Sequence, residues 1–155
     1  MPDALTDARP TEAEDARRGR MAVLARAPEA ALEAALAALS PAPAWQVLRG
    51  PETGMVMVRG RMGGSGRAFN LGEMTVTRCA VRLGDGRIGH AYIAGRDGRR
   101  AELAAVLEAT AQGAVPPSLA QALASMRAAQ EAERDDRSRR AAATRVEFYG
   151  MVRMG

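Results

Sequence analysis

The chain has 155 residues, the length of one ordinary domain, and 47% of them are hydrophobic although only 3% are aromatic. Its formal net charge of +4 is carried by arginine, because the sequence contains no lysine. One cysteine and one histidine exclude a disulfide framework and a local zinc or iron–sulfur ligand set, and no run approaches the roughly 20 apolar residues of a membrane span, so we expect a cytoplasmic protein without a membrane anchor.

The N-terminal part of the chain predicts two helices. Residues 1–10 lack apolar periodicity and are typical of a disordered terminus. Residues 11–39 predict a helical hairpin, in which Thr11 and Glu14 have the spacing of a capping box and Pro28 suits the first turn of the second helix. The apolar face of that second helix comprises Leu32, Leu36 and Leu39.

The hydrophobic period changes to two over residues 44–95, which predicts an antiparallel sheet. A short strand around Trp45 and Val47 runs into residues 50–54, a segment dense in turn formers. We expect a hairpin there, followed by a second strand over residues 55–62.

The second half of the sheet is predicted from residues 74–95. The strand at 74–83 alternates, with Cys79 on its core face. Asp85-Gly86 is a strong hairpin signal, and residues 87–95 return as a further strand. One face of this last strand carries Ile88, His90 and Tyr92.

The C-terminal part predicts two helices within residues 97–140 and then an extended tail. Asp97 can cap the first helix, Gly113 can end it, and Ser118 with Gln121 resembles a second capping box. The tail, residues 144–155, is hypothesised to dock through its apolar residues Phe148, Met151 and Val152. A neighbouring subunit and the sheet of this chain are equally favoured as its docking surface.

These elements predict a single α+β domain. We expect a mostly antiparallel four- to five-stranded sheet, with the N-terminal helical hairpin and the two C-terminal helices packed on it.

Four arginines lie in the predicted strands. Arg59 and Arg61 alternate onto one side of their strand, and Arg78 and Arg82 share a face of theirs, about 13 Å apart. A solvated basic face and a binding site for an anion or an acidic partner are about equally favoured. The candidate binding residues are Arg61, Gly63, Gly64, Gly66, Arg78 and Arg82.

The glycine-rich segment between the strands, Gly63-Gly64-Ser65-Gly66, invites comparison with phosphate-binding loops. No Lys-Ser/Thr pair closes it and no helix follows it, so it meets neither the Walker nor the dinucleotide pattern. A flexible or bulged connector is the favoured interpretation, and a nest of backbone amides for an anion is the alternative.

Residues that could carry catalysis do not form a recognisable set. His90 has no nucleophile placed near it by sequence, and Cys79 is expected to behave as a small core hydrophobe. The acidic residues Glu52, Glu73, Asp85 and Asp97 fall in turns, where capping competes with acid–base work. We therefore assign no catalytic residue and no metal site.

One family accounts for most of the central motifs and for a terminal one. The residues concerned are Glu52-Thr53-Gly54, Val56-Met57, Arg61-Met62-Gly63-Gly64, Gly66, Phe69, Gly72, Thr77-Arg78, Val81-Arg82-Leu83, Asp85-Gly86, Gly89, Gly95-Arg96-Asp97, Ala101-Glu102, Arg145-Val146, Phe148 and Met151-Val152-Arg153. In these residues the chain resembles the PhnG family of the bacterial phosphonate carbon–phosphorus lyase system, from about Met21 onward.

The resemblance implies an accessory subunit. Family members work with the subunits designated H, I and J as a core complex and with an ATP-binding-cassette protein, L. The complex displaces adenine from ATP by a phosphonate, giving α-D-ribose 1-methylphosphonate 5-triphosphate. The component designated I is regarded as the nucleosidase-like catalyst, and the radical cleavage with its iron–sulfur cluster belongs to the component designated J. ATP is then a substrate of the complex, and no cofactor is expected on this chain alone.

Two other functions are compatible with parts of the sequence. A small basic nucleic-acid-binding protein would fit the sequence pI of about 10.4, although the predicted sheet lacks the aromatic platforms on which bases stack. A self-sufficient enzyme is the third hypothesis. A homodimer of the isolated chain is plausible because of its Met-rich and apolar segments.

Overall fold

The computed structural model describes residues 11–144. The first helix, α1, spans Glu12–Arg26 and begins with the predicted capping box. The Thr11 hydroxyl accepts a hydrogen bond from the Glu14 amide at 3.3 Å, and the Glu14 carboxylate accepts one from the Thr11 amide at 2.7 Å. These two bonds satisfy amides that have no partner inside a helix. They also hold the pKa of Glu14 below its usual value.

The second helix, α2, spans Glu29–Ala37, with Pro28 at its N-cap. Leu32 is fully buried and Leu39 nearly so, as the predicted apolar face requires. The expected helical hairpin is not confirmed, because α1 and α2 make their main helix contacts with the two C-terminal helices rather than with each other. The loop at Ala27 and Pro28 therefore connects two helices that pack separately.

Within the described residues the sheet has three antiparallel strands in the order β1-β2-β3, with β1 at Trp45–Arg61, β2 at Ala68–Leu83 and β3 at Ile88–Ala94. The predicted count of four to five strands is not confirmed. The turn predicted at residues 50–54 is wrong, since β1 continues through it.

Extra residues in β1 explain how the strand passes this turn-rich segment. The register shifts between Val47 and Arg49 and again between Arg49 and Glu52, as expected for β-bulges. Pro51 is tolerated because β1 is an edge strand, where a missing amide proton breaks no ladder bond. The turn-forming residues therefore produce bulges within one strand and not a turn between two strands.

The helices cover one face of the sheet. Side chains of Cys79, Val81 and Leu83 in β2 and of Ala91 and Ile93 in β3 are buried on that face. The opposite face has exposed residues in β3 at Ile88, His90, Tyr92 and Ala94, which confirms the predicted alternation. The result is a two-layer α+β arrangement with an open outer sheet face.

The central helix is α3, Gly98–Thr110, capped by Asp97, whose carboxylate accepts from the Arg100 amide at 3.0 Å. Alanine-rich and buried along most of its length, α3 lies very close to β3 at Gly89. A Cβ at Gly89 would overlap the carbonyl of Ala105 and lie 2.8 Å from the Cβ of Ala109. Only glycine permits this approach of helix to strand.

The last helix, α4, spans Pro117–Ala143 and buries Leu119, Leu123 and Met126. The second capping box predicted at Ser118 is wrong, because the N-cap is Pro116 and Pro117 occupies the first turn. The charged second half of α4 is a solvated helix. Among residues 11–144, no helix combines the length and the apolar character needed to cross a membrane.

The helices and the part of the sheet that they cover form one unit, which we call the body. Buried Glu108 joins three elements of it. Only 2% of Glu108 is exposed, and its carboxylate accepts from Arg17 Nε in α1 at 2.7 Å and from the His90 amide in β3 at 3.1 Å. The side-chain amide of Gln112 donates to the same carboxylate and to the Ile88 carbonyl. These bonds compensate the loss of hydration of the carboxylate and tie α1 and β3 to α3.

Two further arginines stabilise helix ends. Arg100 donates to the carbonyls of Ala25 and Ala27 at the end of α1. Arg87 donates to the carbonyls of Thr110 and Gln112 at the end of α3. A cation that bonds otherwise unpaired carbonyls also complements the negative end of the helix dipole.

Candidate functional site

The most exposed part of the sheet is a two-stranded extension, residues 55–74, which projects beyond the body and which we call the arm. β3 pairs with β2 only from Val76 to Arg82, so within residues 11–144 no third strand lies beside the two strands of the arm. No residue of the arm is buried. At about 3.3 Å per residue the arm extends roughly 20–25 Å from the helix-covered body.

Both faces of the arm carry large apolar side chains. Met55 pairs with Thr75 and therefore shares the face that the helices cover further along β2, together with Met57. Val56 pairs with Met74 on the outer face. Phe69 lies on the same outer face, opposite Gly60, where its ring atom Cζ would be 3.4 Å from an added Cβ. Neither face therefore has the polar pattern of a solvated sheet surface.

The tip of the arm is the glycine-rich segment, which forms a 3₁₀ turn at Met62–Gly64. Gly63 and Gly64 have φ of 58° and 84°, a region that favours glycine. A Cβ at Gly66 would lie 2.5 Å from the Met62 carbonyl oxygen. The tip is thus a specific tight turn that depends on its glycines.

Hydrogen bonds within the tip occupy part of the backbone that an anion nest would use. The amides of Ser65 and Gly66 both donate to the Met62 carbonyl. Arg61 Nη1 donates to the Gly66 carbonyl at 3.3 Å and so braces the turn. Anion binding by Arg61, Gly63, Gly64 and Gly66 stays a prediction, and such an anion would have to use the remaining amides.

The predicted arginines do not form one patch. Arg59 and Arg61 share the face of Met55 and Met57, whereas Arg78 and Arg82 lie on the outer face of β2. Arg61 pairs with Ala68, ten residues before Arg78 in β2, so the two guanidinium groups belong to sites roughly 30 Å apart.

Arg78 already has partners within the chain. It pairs with Tyr92 on the neighbouring strand β3. It also forms an ion pair with Glu52, in which Arg78 Nη2 and Nε lie 2.8 Å and 3.0 Å from Glu52 Oε2. Tyr92 and Glu52 raise the pKa of Arg78 further above its usual value. An incoming anion would have to compete with the Glu52 carboxylate. Arg82 is exposed beside Ile88.

The candidate acid–base groups lie apart. Glu52 pairs with Arg78, Asp97 caps α3, and Glu73 is exposed on the arm. Asp85 accepts from Arg87 in the turn between β2 and β3, and these bonds hold its pKa below the usual value. His90 borders a small pocket of about 280 Å³ with Arg18, Glu108 and residues of α1.

Cys79 is buried, as predicted, and its sulfur lies 3.4 Å from the Arg49 carbonyl. Desolvation, and secondarily the charge of Glu102, raise the pKa of the thiol above its usual value of 9.0. A buried thiol held in its neutral form is a poor nucleophile. The residues of the predicted docking tail, Phe148, Met151 and Val152, lie outside the described residues.

Sequence reasoning missed two features of importance. It placed the apolar residues of the arm in an ordinary strand and used the Met-rich segments only as an argument for a homodimer. Met55, Val56, Met57 and Val58 are apolar in four consecutive positions, which is a signal that both faces are to be covered. It also missed Glu108, whose partners are remote in sequence and leave no local pattern.

The chain is similar to known proteins along most of its length. A protein-family model described as phosphonate metabolism protein PhnG matches residues 15–154. One relative, alpha-D-ribose 1-methylphosphonate 5-triphosphate synthase subunit PhnG of Rhizobium meliloti (strain 1021), is 46% identical over 138 residues, which make up 88% of this chain and 88% of the relative.

Proposed function

The chain belongs to the family of phosphonate metabolism protein PhnG, and from that membership we propose that it is an accessory subunit of α-D-ribose 1-methylphosphonate 5-triphosphate synthase. The observation that carries this proposal is the 46% identity to a named subunit of that synthase across nearly the full length of both chains. The complex would transfer a phosphonate to the ribose C1 of ATP and release adenine, in the cytoplasm, during phosphonate catabolism.

The partners proposed for this chain are the carbon–phosphorus lyase subunits designated I, H and J and the ATP-binding-cassette protein L. ATP would be a substrate of the whole complex, while this chain would bind and order other subunits. The exposed arm supports such a role, because large apolar side chains on both sides of a ribbon favour burial against another protein.

Nucleic-acid binding is less well supported than assembly. The arginines divide between two faces of the sheet, and several others are engaged at helix ends or in the Glu108 network. A phosphate backbone needs a continuous basic stripe for strong binding. We therefore propose no nucleic-acid function.

Co-expression tests the proposed function directly. The tagged chain is produced with the four proposed partners, H, I, J and L, and purified at moderate ionic strength. We expect the other subunits to co-purify, and adenine release from ATP and methylphosphonate to require the tagged chain. Purification of the chain alone from the same cells would contradict the proposal, and so would adenine release by the isolated chain, which would make it the enzyme itself.

A further inference from the structure

The exposed apolar surface of the described residues is concentrated in the arm. Eleven large hydrophobic side chains are exposed in residues 11–144, and seven of them belong to the arm. These seven are Met55, Val56, Met57, Met62, Phe69, Leu71 and Met74. With about 200 Å² for a large side chain, their exposed fractions amount to roughly 750 Å². An interface of standard size buries about 800 Å² per partner.

The distribution of these side chains between the two faces indicates how the arm is covered. A partner that lay flat on the sheet would cover one face and leave the other in water. Met55 and Met57 would then be exposed if Val56 and Phe69 were buried, or the reverse. Apolar residues on both faces are the pattern of a strand pair enclosed on both sides.

The charges of the arm indicate the character of the enclosing surface. Arg59, Arg61 and Arg67 surround the tip, and Glu73, toward the base, is the single acidic residue of the arm. Two copies of the arm that met tip to tip would bring these arginines together at low dielectric, which is unfavourable. A partner with carboxylates near the tip is favoured instead.

We propose that the arm inserts into a groove of another subunit of the same assembly, a groove with two apolar walls and with carboxylates where the arm tip comes to lie. This inference rests on the proposed function and specifies how the chain is held in the complex. The body and the arm share β1 and β2, so insertion of the arm fixes the position of the whole subunit.

The tertiary structure prepares the arm for insertion. An isolated two-stranded hairpin is only marginally stable in water, whereas these strands continue from a sheet that is anchored by α3. The glycine turn at Gly63 and Gly64 and the bond from Arg61 to Gly66 hold the tip in one shape. Because less order has to be gained on binding, more of the apolar contact contributes to affinity.

Variants of each face test insertion in the co-expressed complex. One variant carries Met55→Ser with Met57→Ser, and a second carries Val56→Ser with Phe69→Ser. A matched control carries Val47→Ser with Ile88→Ser, two exposed apolar residues of the body's sheet. We expect each arm variant to weaken binding to the remaining subunits at least tenfold, because two large side chains lose their burial, and the control to change binding less than threefold.

A charge-reversal pair tests the acidic end of the groove. Arg59→Glu with Arg61→Glu should weaken binding more strongly at low salt than at high salt, since exposed charges are screened. Arg134→Glu with Arg139→Glu, on the exposed face of α4, is the control and should have little effect. An equal loss with both pairs would indicate a general charge effect and contradict the acidic groove.

The outcomes separate this inference from the proposed function. Wild-type chain that assembles normally, together with arm variants that assemble equally well, would overturn the insertion and leave the subunit assignment intact. If only one of the two arm variants weakened binding, enclosure of the arm on both faces would be wrong. A wild-type chain that assembles with no other subunit would overturn both proposals.

Two measurements on the isolated chain test whether the arm binds a different kind of partner. If sedimentation shows a homodimer that the arm variants dissociate, the arm is a self-interface and the proposal is wrong. If single-stranded DNA binds to the chain and only the arm variants lose that binding, the partner of the arm is nucleic acid and the proposal is wrong. Unchanged unfolding midpoints would show that the variants are folded, as expected for exposed positions.

Discussion

The two halves of β2 have opposite relations to the rest of the chain. From Thr77 to Leu83 every second side chain is buried on the face that the helices cover, whereas from Ala68 to Met74 every residue is exposed. Both halves are strand with apolar content, so the difference is not one of local propensity. The difference is whether residues 11–144 supply a surface that covers the strand. Apolar residues in the body therefore maintain the fold, while those in the arm are available for assembly.

The body and the arm should therefore respond to different measurements. Substitutions in the body are expected to change the free energy of unfolding, and substitutions in the arm to change binding with little effect on unfolding. Three predictions test the division, in order of decreasing effect.

The largest effect is expected where β3 meets α3. Gly89→Ala places a Cβ against the Ala105 carbonyl and the Ala109 backbone, which cannot rotate away. Overpacking of this kind costs about 3 kcal/mol or more. Gly72→Ala in the arm is the matched control, because nothing lies within 4 Å of its added Cβ, and a change within about 0.5 kcal/mol is expected. Urea unfolding followed by circular dichroism measures both, and equal losses would remove the distinction between body and arm.

A somewhat smaller effect is expected from the buried carboxylate. Glu108→Ala removes the shared acceptor of Arg17, of Gln112 and of the His90 amide. Gln112 keeps its bond to the Ile88 carbonyl, whereas Arg17 and the His90 amide lose the acceptor that they have in the wild-type chain. Since Arg17 is partly exposed and can regain water, we expect a loss of about 2–3 kcal/mol in unfolding free energy. Glu73→Ala in the arm serves as the control and should be nearly neutral. A neutral Glu108→Ala would mean that the network does not stabilise the body.

The smallest effect concerns the pH dependence that Cys79 confers on the body. Burial raises the pKa of this thiol, so above pH about 9 the unfolded chain loses the proton while the folded chain retains it. The unfolded state then binds fewer protons, and the free energy of unfolding falls as pH rises. Below that range the contribution is fully present.

The difference between the wild-type chain and Cys79→Ala across this pH range isolates the contribution of the thiol. Alkylation of Cys79 should also be much slower in the native chain than in urea. The rate should be unchanged by Val56→Ser with Phe69→Ser, because the arm does not cover the thiol. Acceleration of alkylation by that arm variant would show that body and arm open together.

Several features followed from the sequence because their causes are local. The capping box of α1 needs only Thr11 and Glu14, and the turn between β2 and β3 needs only the Asp85-Gly86 pair with its neighbours. The core face of β2 followed from strict alternation, with Cys79 buried as predicted. Family membership likewise followed from motifs that stand in the sequence itself.

Other features depended on packing between distant residues. Gly50 and Pro51 have strong turn propensity, but pairing with β2 carries β1 through them as bulges. The burial of Glu108 depends on Arg17, 91 residues away, and the division of the arginines between two faces depends on the register of β1 with β2.

The sequence by itself determined which helices form, the alternation of β2 and the family of the chain, because these depend on neighbours within a few residues. Only the tertiary structure decided that residues 55–74 project from the body and are left uncovered by the rest of residues 11–144. Exposure is a property of what the rest of the chain leaves uncovered, and no local pattern of propensity contains that information.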